Sequence, residues 1–436
     1  MRRWLLALGI CAAIGCGIDV VGALDGAVAP GTDGGVESGA SGAMLPELDA
    51  SGEAAASDAS TPEAGIDAEA VRPDAGIVFV PSHIFPDYTL TAKNVHIASD
   101  TLVDTGARTI SVGGAAPVPI VEMVPSGDVA VWSVGDLTLD SGVTLEVVGT
   151  RPLVVVASGD VAVNGVLSVY GDRKRPGPGG GAPASGAGKG GNGAKVVTDA
   201  SGSGGAGHAT AGSAGGAQGA VPGGTPGPIT NTDGALLIGG AGGGHGGGFP
   251  GTCSDPTHGK GGFGGGALQI SAVGKITIAG SGVIDAGGGG GLGGCKSNAP
   301  TDVLTGGGGG GAGGIVFLES ATGLDMKSGA EIAAGGGAGG EGGSTSDPGQ
   351  DGESGISQPA RAAAGGGGSG GGPGGAGGYG VLGSASASFG GFSGAGAGAA
   401  AGGGGGAVGQ VFLGVRTPST RKIAGSVAAL RSDFAF

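Results

Sequence analysis

Aliphatic residues recur every eight positions in the middle of the chain, and the residue two positions later is aliphatic in nearly every unit. The repeating positions are Val129, Leu137, Leu145, Leu153, Val161 and Val169. Side chains two residues apart share one face of a strand, so each unit predicts a short strand with two inward side chains. Gly, Asp, Ser and Asn separate the units, as tight turns between short strands require.

The same spacing returns after each long glycine-rich stretch. It is found at Leu268, Ile276 and Ile284, at Val316, Leu324 and Ile332, and in weaker form at Val411, Leu413, Ile423 and Val427. Three units of eight make a coil of about 24 residues, which predicts an all-β fold, a parallel β-solenoid with three-sided coils. Residues 127–436 would form this solenoid, and the irregular strands of 77–126 an N-terminal β cap. An antiparallel β-sandwich of short strands is the alternative.

Four glycine-rich insertions interrupt the predicted strands, at about 172–234, 239–266, 285–314 and 335–409. Such segments bury almost no side chains to offset the entropy of ordering, so one alone is expected to be disordered. Several segments leaving one corner side by side have another option. They can exchange interchain backbone hydrogen bonds as extended, threefold polyglycine II helices. The sequence leaves both outcomes open.

Composition excludes several protein classes. Glycine supplies 115 of 436 residues and aromatic residues only 3%, and glycine costs about 1 kcal/mol per residue in a helix, which argues against a helical enzyme. Collagen is excluded because no sustained Gly-X-Y period exists. Simple disorder is incomplete as an explanation, because hydrophobic residues reach 39% and cluster in strand-like runs.

The N-terminus has the pattern of a secretory signal. Arg2 and Arg3 precede an apolar stretch of eleven residues, which is shorter than the ~20 residues needed to span a bilayer. The stretch ends in Ala-Ile-Gly before Cys16, which resembles the lipobox of bacterial lipoproteins. That resemblance implies a signal peptide over 1–15 and lipidation of Cys16, and acyl chains would anchor the protein to a membrane. An ordinary secretory signal with an incidental cysteine is the alternative.

An acidic segment follows the cysteine. Residues 17–76 contain twelve acidic residues and one basic residue, within a chain of net charge −15. Low hydrophobicity and self-repulsion predict a disordered linker over 16–76. An acidic chain with no basic stripe is unsuited to nucleic acid, so no nucleic-acid partner is expected.

Runs such as GGGGGGAGGIVFLES and AAGGGAGGEGG resemble the glycine-rich surface lipoproteins of Gram-negative bacteria. In composition alone they also resemble the PE-PGRS proteins, whose N-terminal PE module is absent here. The resemblance covers most of 127–436 and implies no catalytic residues.

Carboxylates on a β-helix face can perform acid–base chemistry on polysaccharides, which makes a secreted β-helix polysaccharide lyase or hydrolase the alternative function. The candidate acids are Asp136, Asp140, Asp160, Asp285 and Asp325. Most stand at turn positions, where aspartate serves local hydrogen bonding. Aromatic residues that could stack on sugars are scarce, and the candidates are Trp132, Tyr170 and Phe317.

The DRKR group from Asp172 is expected to be a solvated strand end, and binding of an anionic glycan is the alternative. The acidic DPGQDGES segment from Asp347 lacks the EF-hand spacing for calcium.

Cys253 and Cys295 lie in comparable polar islands inside consecutive glycine-rich insertions. Export permits a disulfide, and insertions leaving one corner would bring the two islands together, so a Cys253–Cys295 bridge is predicted. The alternative is a metal site using Cys253, His258 and Cys295 with His245, although Cys-x₄-His is loose for zinc. His208, His245 and His258 are otherwise expected to be solvent-exposed.

These observations favour a lipid-anchored, non-enzymatic protein of the cell envelope, an outer-membrane lipoprotein facing the periplasm or the cell surface. Its role would be structural, adhesive or interactive, without catalysis and without cofactor or metal. The expected partners are the membrane, through the lipid on Cys16, and envelope polysaccharide or other surface proteins.

Overall fold

The computed structural model describes residues 79–84, 93–197, 199–231, 233–250, 255–296, 304–355, 365–367, 371–375, 377–378 and 399–435. Two units divide the chain, Met1–Val71 and Arg72–Phe436, and all described residues belong to the second. The predicted signal peptide, Cys16 and the acidic linker therefore lie outside the described residues. Nearly all regular structure in the described part is β-strand, with one 3-10 turn at Pro418–Thr420.

Three larger sheets and one short hairpin contain all the strands. Sheet A consists, in spatial order, of β1 (Val95–Ile97), β7 (Leu137–Leu139), β10 (Val161–Val163), β15 (Lys275–Ile278), β18 (Gly323–Met326) and β21 (Arg421–Ile423). Sheet B consists of β4 (Val118–Pro119), β3 (Thr109–Val112), β2 (Thr101–Asp104), β8 (Thr144–Val148), β11 (Val166–Ser168), β16 (Val283–Asp285), β19 (Glu331–Ala333) and β22 (Ser426–Ala428). Sheet C consists of β5 (Met123–Ser126), β6 (Val129–Val134), β9 (Leu153–Ala157), β14 (Ala267–Ala272), β17 (Ile315–Ser320), β20 (Gln410–Val415) and β23 (Leu430–Phe434). The hairpin pairs β12 (Lys195–Val196) with β13 (Asp199–Ala200).

The predicted parallel β-solenoid is wrong. The sheets are mostly parallel but of mixed order, because β2–β3–β4 and β5–β6 pair antiparallel, and the described strands form no closed solenoid. A uniform 24-residue coil is also absent. Leu137 and Val161 pair 24 residues apart, whereas Val161 pairs with Ile276, 115 residues later, and Ile276 with Leu324, 48 residues later. Three glycine-rich connections of unequal length account for these differences. They join β11 to β14, β16 to β17 and β19 to β20, and we call them the excursions.

The excursions share their points of departure and return. Each leaves after a strand of sheet B, namely β11, β16 or β19, and returns at the start of a strand of sheet C, namely β14, β17 or β20. The three returning strands pair in register, with Ala267 beside Ile315 and Ile315 beside Gln410. Neighbouring strands lie about 4.8 Å apart, so the glycine-rich segments enter the sheet with that same spacing.

The hydrophobic core lies between the three sheets. Leu137, Leu145, Leu153 and Val161 are at most 1% exposed and belong to one cluster that draws on sheets A, B and C. The eight-residue spacing therefore identified inward positions correctly in β7 to β10. Aliphatic residues of later strands lie beside these positions and extend them into rows across the sheets. One such row consists of Leu153, Leu268 and Val316.

The eight-residue spacing predicts the wrong inward residues in β6. Leu153 pairs with Ala130, and Ala130 and Trp132 enter the main core. The predicted inward residues Val129 and Val131 instead face the other side of sheet C, in a second apolar cluster with Phe317 and Phe412. All six residues of β6 are buried, because both faces of this strand are covered.

We expect Leu153→Asp to lower the free energy of unfolding by about 4 kcal/mol or more, because it buries an unpaired carboxylate in place of a packed side chain. Thr138→Asp is the matched control. Thr138 stands between two inward leucines of β7 and is only half-buried, so we expect a change below about 1 kcal/mol. Urea denaturation of both variants measures the difference, and equal losses would contradict the inward and outward assignment.

Candidate functional site

The glycine-rich segments pack against one another as an ordered body beside the sheets. We call this body the glycine bundle and define it as residues 177–193, 200–216, 221–228, 239–247, 259–266, 286–294, 305–314, 334–343, 349–355, 371–375 and 400–409. Backbone hydrogen bonds join these segments throughout. No segment forms a β-ladder of its own apart from the β12–β13 hairpin and two isolated bridges, among the described residues.

Segment 305–314 lies at the centre of the bundle and is buried along its whole length. Its amide groups donate to three neighbouring segments in rotation. Gly306, Gly309 and Ala312 donate to the 241–247 segment, Gly307, Gly310 and Gly313 to the 401–407 segment, and Gly308, Gly311 and Gly314 to the 286–292 segment, all at 2.7–3.1 Å. A period of three residues is that of extended polyglycine and polyproline backbones, which form no hydrogen bonds within one chain.

The carbonyl groups of the same segment accept from three further neighbours. The donors lie in segments 203–206, 262–265 and 337–343. Segment 305–314 is therefore hydrogen-bonded to six others, and nearly all of its buried peptide groups are satisfied, as burial requires. Backbone groups make most of the hydrogen bonds that join these segments, and a few side chains add to them, such as Asp351, whose Oδ1 accepts from the Gly293 amide at 2.9 Å.

Glycine is required in the bundle because neighbouring backbones lie too close together to leave room for a Cβ atom, rather than because the residues need a positive φ. A Cβ added to Gly309 would lie 2.0 Å from the carbonyl oxygen of Gly204, and one added to Gly310 would lie 1.9 Å from that of Gly337. Methyl groups fit at a few defined places only. One such place is a cluster of four buried alanines from four segments, Ala206, Ala241, Ala312 and Ala407.

Ion pairs bind the bundle to sheet B at the beginning of the first excursion. Arg173 Nη1 lies 3.0 Å from Asp351 Oδ2 and its Nη2 donates to the Gly352 carbonyl oxygen at 3.0 Å. Arg175 pairs with Glu146 on β8. We call these two pairs the clamp. Both pairs are more than a third exposed, so each contributes under about 1 kcal/mol; their role is to fix which segments meet.

Both charged segments named in the sequence take part in the clamp. Arg173 and Lys174 of the DRKR group are exposed, and Asp172 Oδ1 accepts from the amides of Lys174 and Arg175 at 2.6 Å and shapes the turn. The DPGQDGES segment supplies the partner of Arg173 through Asp351. Among the described residues no group of three His, Cys, Asp or Glu side chains is arranged to hold a metal ion.

Glu146 and Asp285 lie on one face of sheet B. Both lie beside Ser168 of β11 in register, one on each side, so they are separated by two strand spacings, about 9.6 Å. Glu146 is held by Arg175, and Asp285 Oδ1 accepts from the Gly287 amide at 2.9 Å. Burial, and then the neighbouring carboxylates of Asp172, Glu146 and Asp285, raise the pKa of Tyr170. Its phenol stays protonated near neutral pH.

The other predicted acids serve turns and ion pairs. Asp136 Oδ1 accepts from the Asp160 amide at 2.8 Å, and Asp160 Oδ1 accepts from the Lys275 amide at 2.7 Å, so the carboxylates link successive turns. Asp140 bonds His96 at 2.9 Å. Lys275 and then Lys327 lower the pKa of Asp325, with which both form ion pairs.

A second polar cluster, missed in the sequence, lies on the outer face of sheet C beneath residues 79–84. Glu319 is 2% exposed and accepts from the Ser82 amide at 3.1 Å, from the Ser82 hydroxyl, from Ser271 Oγ at 2.8 Å and from Gln269 Nε2 at 3.2 Å. His83 bonds Gln269 Oε1 at 2.8 Å and the Gly234 carbonyl at 2.6 Å.

This cluster holds two segments onto the sheet. The Ser82 hydroxyl donates to the Glu319 carboxylate, which also accepts from Ser271 and Gln269, so this buried carboxylate joins residues 79–84 to β14 and β17. The sequence signal was present, since Gln269, Ser271 and Glu319 are polar residues inside the apolar runs ALQISA and IVFLES. A buried polar group of this kind requires partners, which the sequence could not identify.

The three histidines of the insertions differ in environment, and the expectation that all are exposed is wrong for His208. His208 is fully buried, its Nε2 donates to the Ile238 carbonyl at 3.3 Å, and its Nδ1 has no hydrogen-bond partner among the described residues. His245 stacks on Phe249 with ring centroids 4.2 Å apart. His258 Nδ1 donates to the Gly293 carbonyl at 3.2 Å.

Cys295 is disulfide-bonded and 2% exposed. Its predicted partner Cys253 lies outside the described residues, so the pairing of these two cysteines stays a prediction.

Comparison with protein-family models, with curated proteins and with solved structures finds no match to this chain. Within the described ranges no helix is long and apolar enough to cross a membrane.

We expect Gly309→Ala to lower the free energy of unfolding by about 3 kcal/mol, because the added methyl group overlaps a carbonyl of a neighbouring segment. Gly367→Ala is the control. Gly367 is exposed, and the nearest atom to its added Cβ is the flexible Gln350 side chain at 3.5 Å. We expect this variant to be neutral or up to about 1 kcal/mol more stable. Equal destabilisation by both substitutions, measured by urea denaturation, would contradict the packing described here.

His208 makes the stability of the protein fall in mild acid. Burial lowers the pKa of His208 from 6.5 to about 4. Between these values the unfolded chain binds a proton that the folded protein does not, so its contribution is complete above pH 6.5 and is lost as the pH falls towards 4. We expect wild type to lose about 2–3 kcal/mol more than His208→Gln between pH 7 and 4.5. Parallel urea titrations of the two proteins measure this, and identical pH slopes would exclude a buried neutral imidazole.

Proposed function

We propose that the chain is a non-catalytic, lipid-anchored protein of the cell envelope with a structural or adhesive role. The observation that carries this proposal is segment 305–314, whose backbone groups are hydrogen-bonded to six other segments. A body built in this way presents few side chains and uses its peptide groups internally. It suits a stiff spacer or contact surface.

The charged groups around the bundle support the same reading. Arg173 and Arg175 are paired with Asp351 and Glu146, and Asp136 and Asp160 accept backbone amides. Each of these groups holds segments or turns together, and such use of carboxylates leaves the acid and the base of a hydrolase unassigned.

The N-terminal region supplies the attachment in this proposal. A lipidated Cys16 would hold the protein at a membrane, and the acidic segment that follows would extend from the surface by charge repulsion. The partners are then the membrane itself and envelope polysaccharide or other surface proteins. An outer-membrane location follows from the resemblance to bacterial surface lipoproteins and is part of the proposal.

Detergent partitioning of the protein from its own envelope tests the anchor. We expect the wild-type protein to enter the detergent phase and to incorporate labelled fatty acid. Cys16→Ala is expected to stay in the aqueous phase or to remain unprocessed, because the thioether to the lipid cannot form. Cys11→Ala is the control, because the resemblance places Cys11 in the signal peptide, and it is expected to behave as wild type.

Unchanged partitioning of the Cys16→Ala protein would overturn the lipid anchor.

Catalysis is tested separately by incubating the purified protein with acidic polysaccharides, for which we expect no new reducing or unsaturated ends. Release of such ends, with loss of release in Glu146→Gln or Asp285→Asn, would replace the proposed function with polysaccharide cleavage.

A further inference from the structure

A pocket of about 160 Å³ opens among three turns near the antiparallel strands. It is lined by Thr105, Gly106 and Arg108 from the β2–β3 turn, by Arg151 from the β8–β9 turn, and by Pro125 and Ala130 from the β5–β6 hairpin. The space admits one small chemical group. Arg108, which is exposed, and Arg151, which is half-buried, are the lining residues with charged side chains in the described part of the chain.

These two guanidiniums differ from most other arginines of the protein. Arg173, Arg175, Arg421 and Arg431 each pair with a carboxylate. Arg108 and Arg151 form no ion pair with a described carboxylate, and Arg151 makes only a long bond of 3.4 Å to the Gly127 carbonyl. In a chain of net charge −15, two cations that share one pocket without an anion call for a ligand of opposite charge.

Arg108 is held in place at a conformational cost. Its φ is 57°, in the left-handed region that favours glycine, and only four described residues other than glycine have positive φ. Strained backbone of this kind persists where the surroundings fix it, and it is concentrated at binding sites. Here the Arg108 carbonyl accepts from the Ile120 amide at 2.9 Å.

The walls of the pocket are fixed by hydrogen bonds. Thr105 is fully buried, and its hydroxyl lies 3.1 Å from the Val148 carbonyl and 2.7 Å from that of Arg151, which joins two of the three turns. Asp104, the nearest acid in the sequence, directs Oδ1 to the amides of Gly106 and Ala107. Its carboxylate is therefore engaged by its own turn.

We propose that this pocket binds an oxyanion, a carboxylate or phosphate group, carried by an acidic polysaccharide. The guanidinium fork matches the geometry of either group. The polysaccharide source rests on the proposed envelope function, whereas oxyanion binding rests on the pocket alone. The pocket thereby gives the protein a specific contact at the turns of the sheets, outside the glycine bundle.

Isothermal titration of the full-length protein in neutral detergent tests the proposal, with trigalacturonate, inorganic phosphate and uncharged maltotriose as probes. We expect trigalacturonate to bind and maltotriose not to bind. Arg151→Gln and Arg108→Gly are each expected to weaken binding about tenfold or more, because each removes a charge-assisted hydrogen bond. Arg416→Gln is the control, since Arg416 is exposed and outside the pocket, and it should bind as wild type.

The Arg108→Gly variant separates binding from folding. Glycine relieves the positive φ, so we expect its melting temperature to equal or exceed that of wild type while binding is lost. Wild-type affinity in a variant that carries both Arg108→Gly and Arg151→Gln, or equal loss in Arg416→Gln, would overturn the oxyanion site. Binding of phosphate alone, or of anionic lipid vesicles but not trigalacturonate, would overturn the polysaccharide source. None of these outcomes bears on the lipid anchor, whose failure is seen in the Cys16→Ala partitioning.

Discussion

The structure depends on one steric constraint: glycine backbones can approach closely enough to bond to one another on all sides, and other residues cannot. In segment 305–314 most added Cβ atoms would lie about 2 Å from a carbonyl of a neighbouring segment. Glycine loses more conformational freedom on folding than any other residue, so this arrangement carries a high entropic cost. Backbone hydrogen bonds offset this entropic cost, although each contributes only about 1 kcal/mol net. Order is therefore favourable only where nearly every amide and carbonyl finds a partner.

The sheets supply the condition for such complete pairing. Because Ala267, Ile315 and Gln410 stand side by side in sheet C, the glycine segments preceding them start in alignment and at strand spacing. The clamp and the cluster around Glu319 fix further segments against the sheet edges and faces. The apolar core thus stabilises the bundle indirectly, by setting where the segments begin and end.

Part of this arrangement was predictable from the sequence, and the limits have physical causes. Period two within each strand and period eight between strands identified Leu137 and Leu145 as core residues, because only one face of β7 and of β8 is apolar. Both faces of β6 and of β9 are covered, so the alternation carries no information in these strands. The eight-residue spacing still placed Leu153 of β9 correctly, whereas in β6 the predicted inward positions are displaced by one residue.

The bundle, the clamp and the pocket lay beyond sequence reasoning for a different reason. Their partners are set by topology, since Arg173 and Asp351 are 178 residues apart and Arg108 and Arg151 come from different turns. The closed solenoid failed for the same reason: equal spacing predicts equal coils, but the antiparallel pairs at β2–β4 and β5–β6 and the unequal excursions depend on long-range pairing. His208 was misjudged because a glycine-rich context suggests exposure, while packed glycine segments exclude water as fully as a hydrophobic core.

The connectivity of the bundle implies an order of assembly. The six neighbours of segment 305–314 come from all three excursions, so no excursion can complete its hydrogen bonds before the others are in place. Closing the longest excursion costs little more entropy than closing the shortest, because the cost grows only with the logarithm of length. The parallel pairing of β9, β14, β17 and β20 can therefore form first, driven by their apolar side chains. The hydrogen bonds of each glycine segment therefore depend on segments of the other excursions that this pairing brings into alignment.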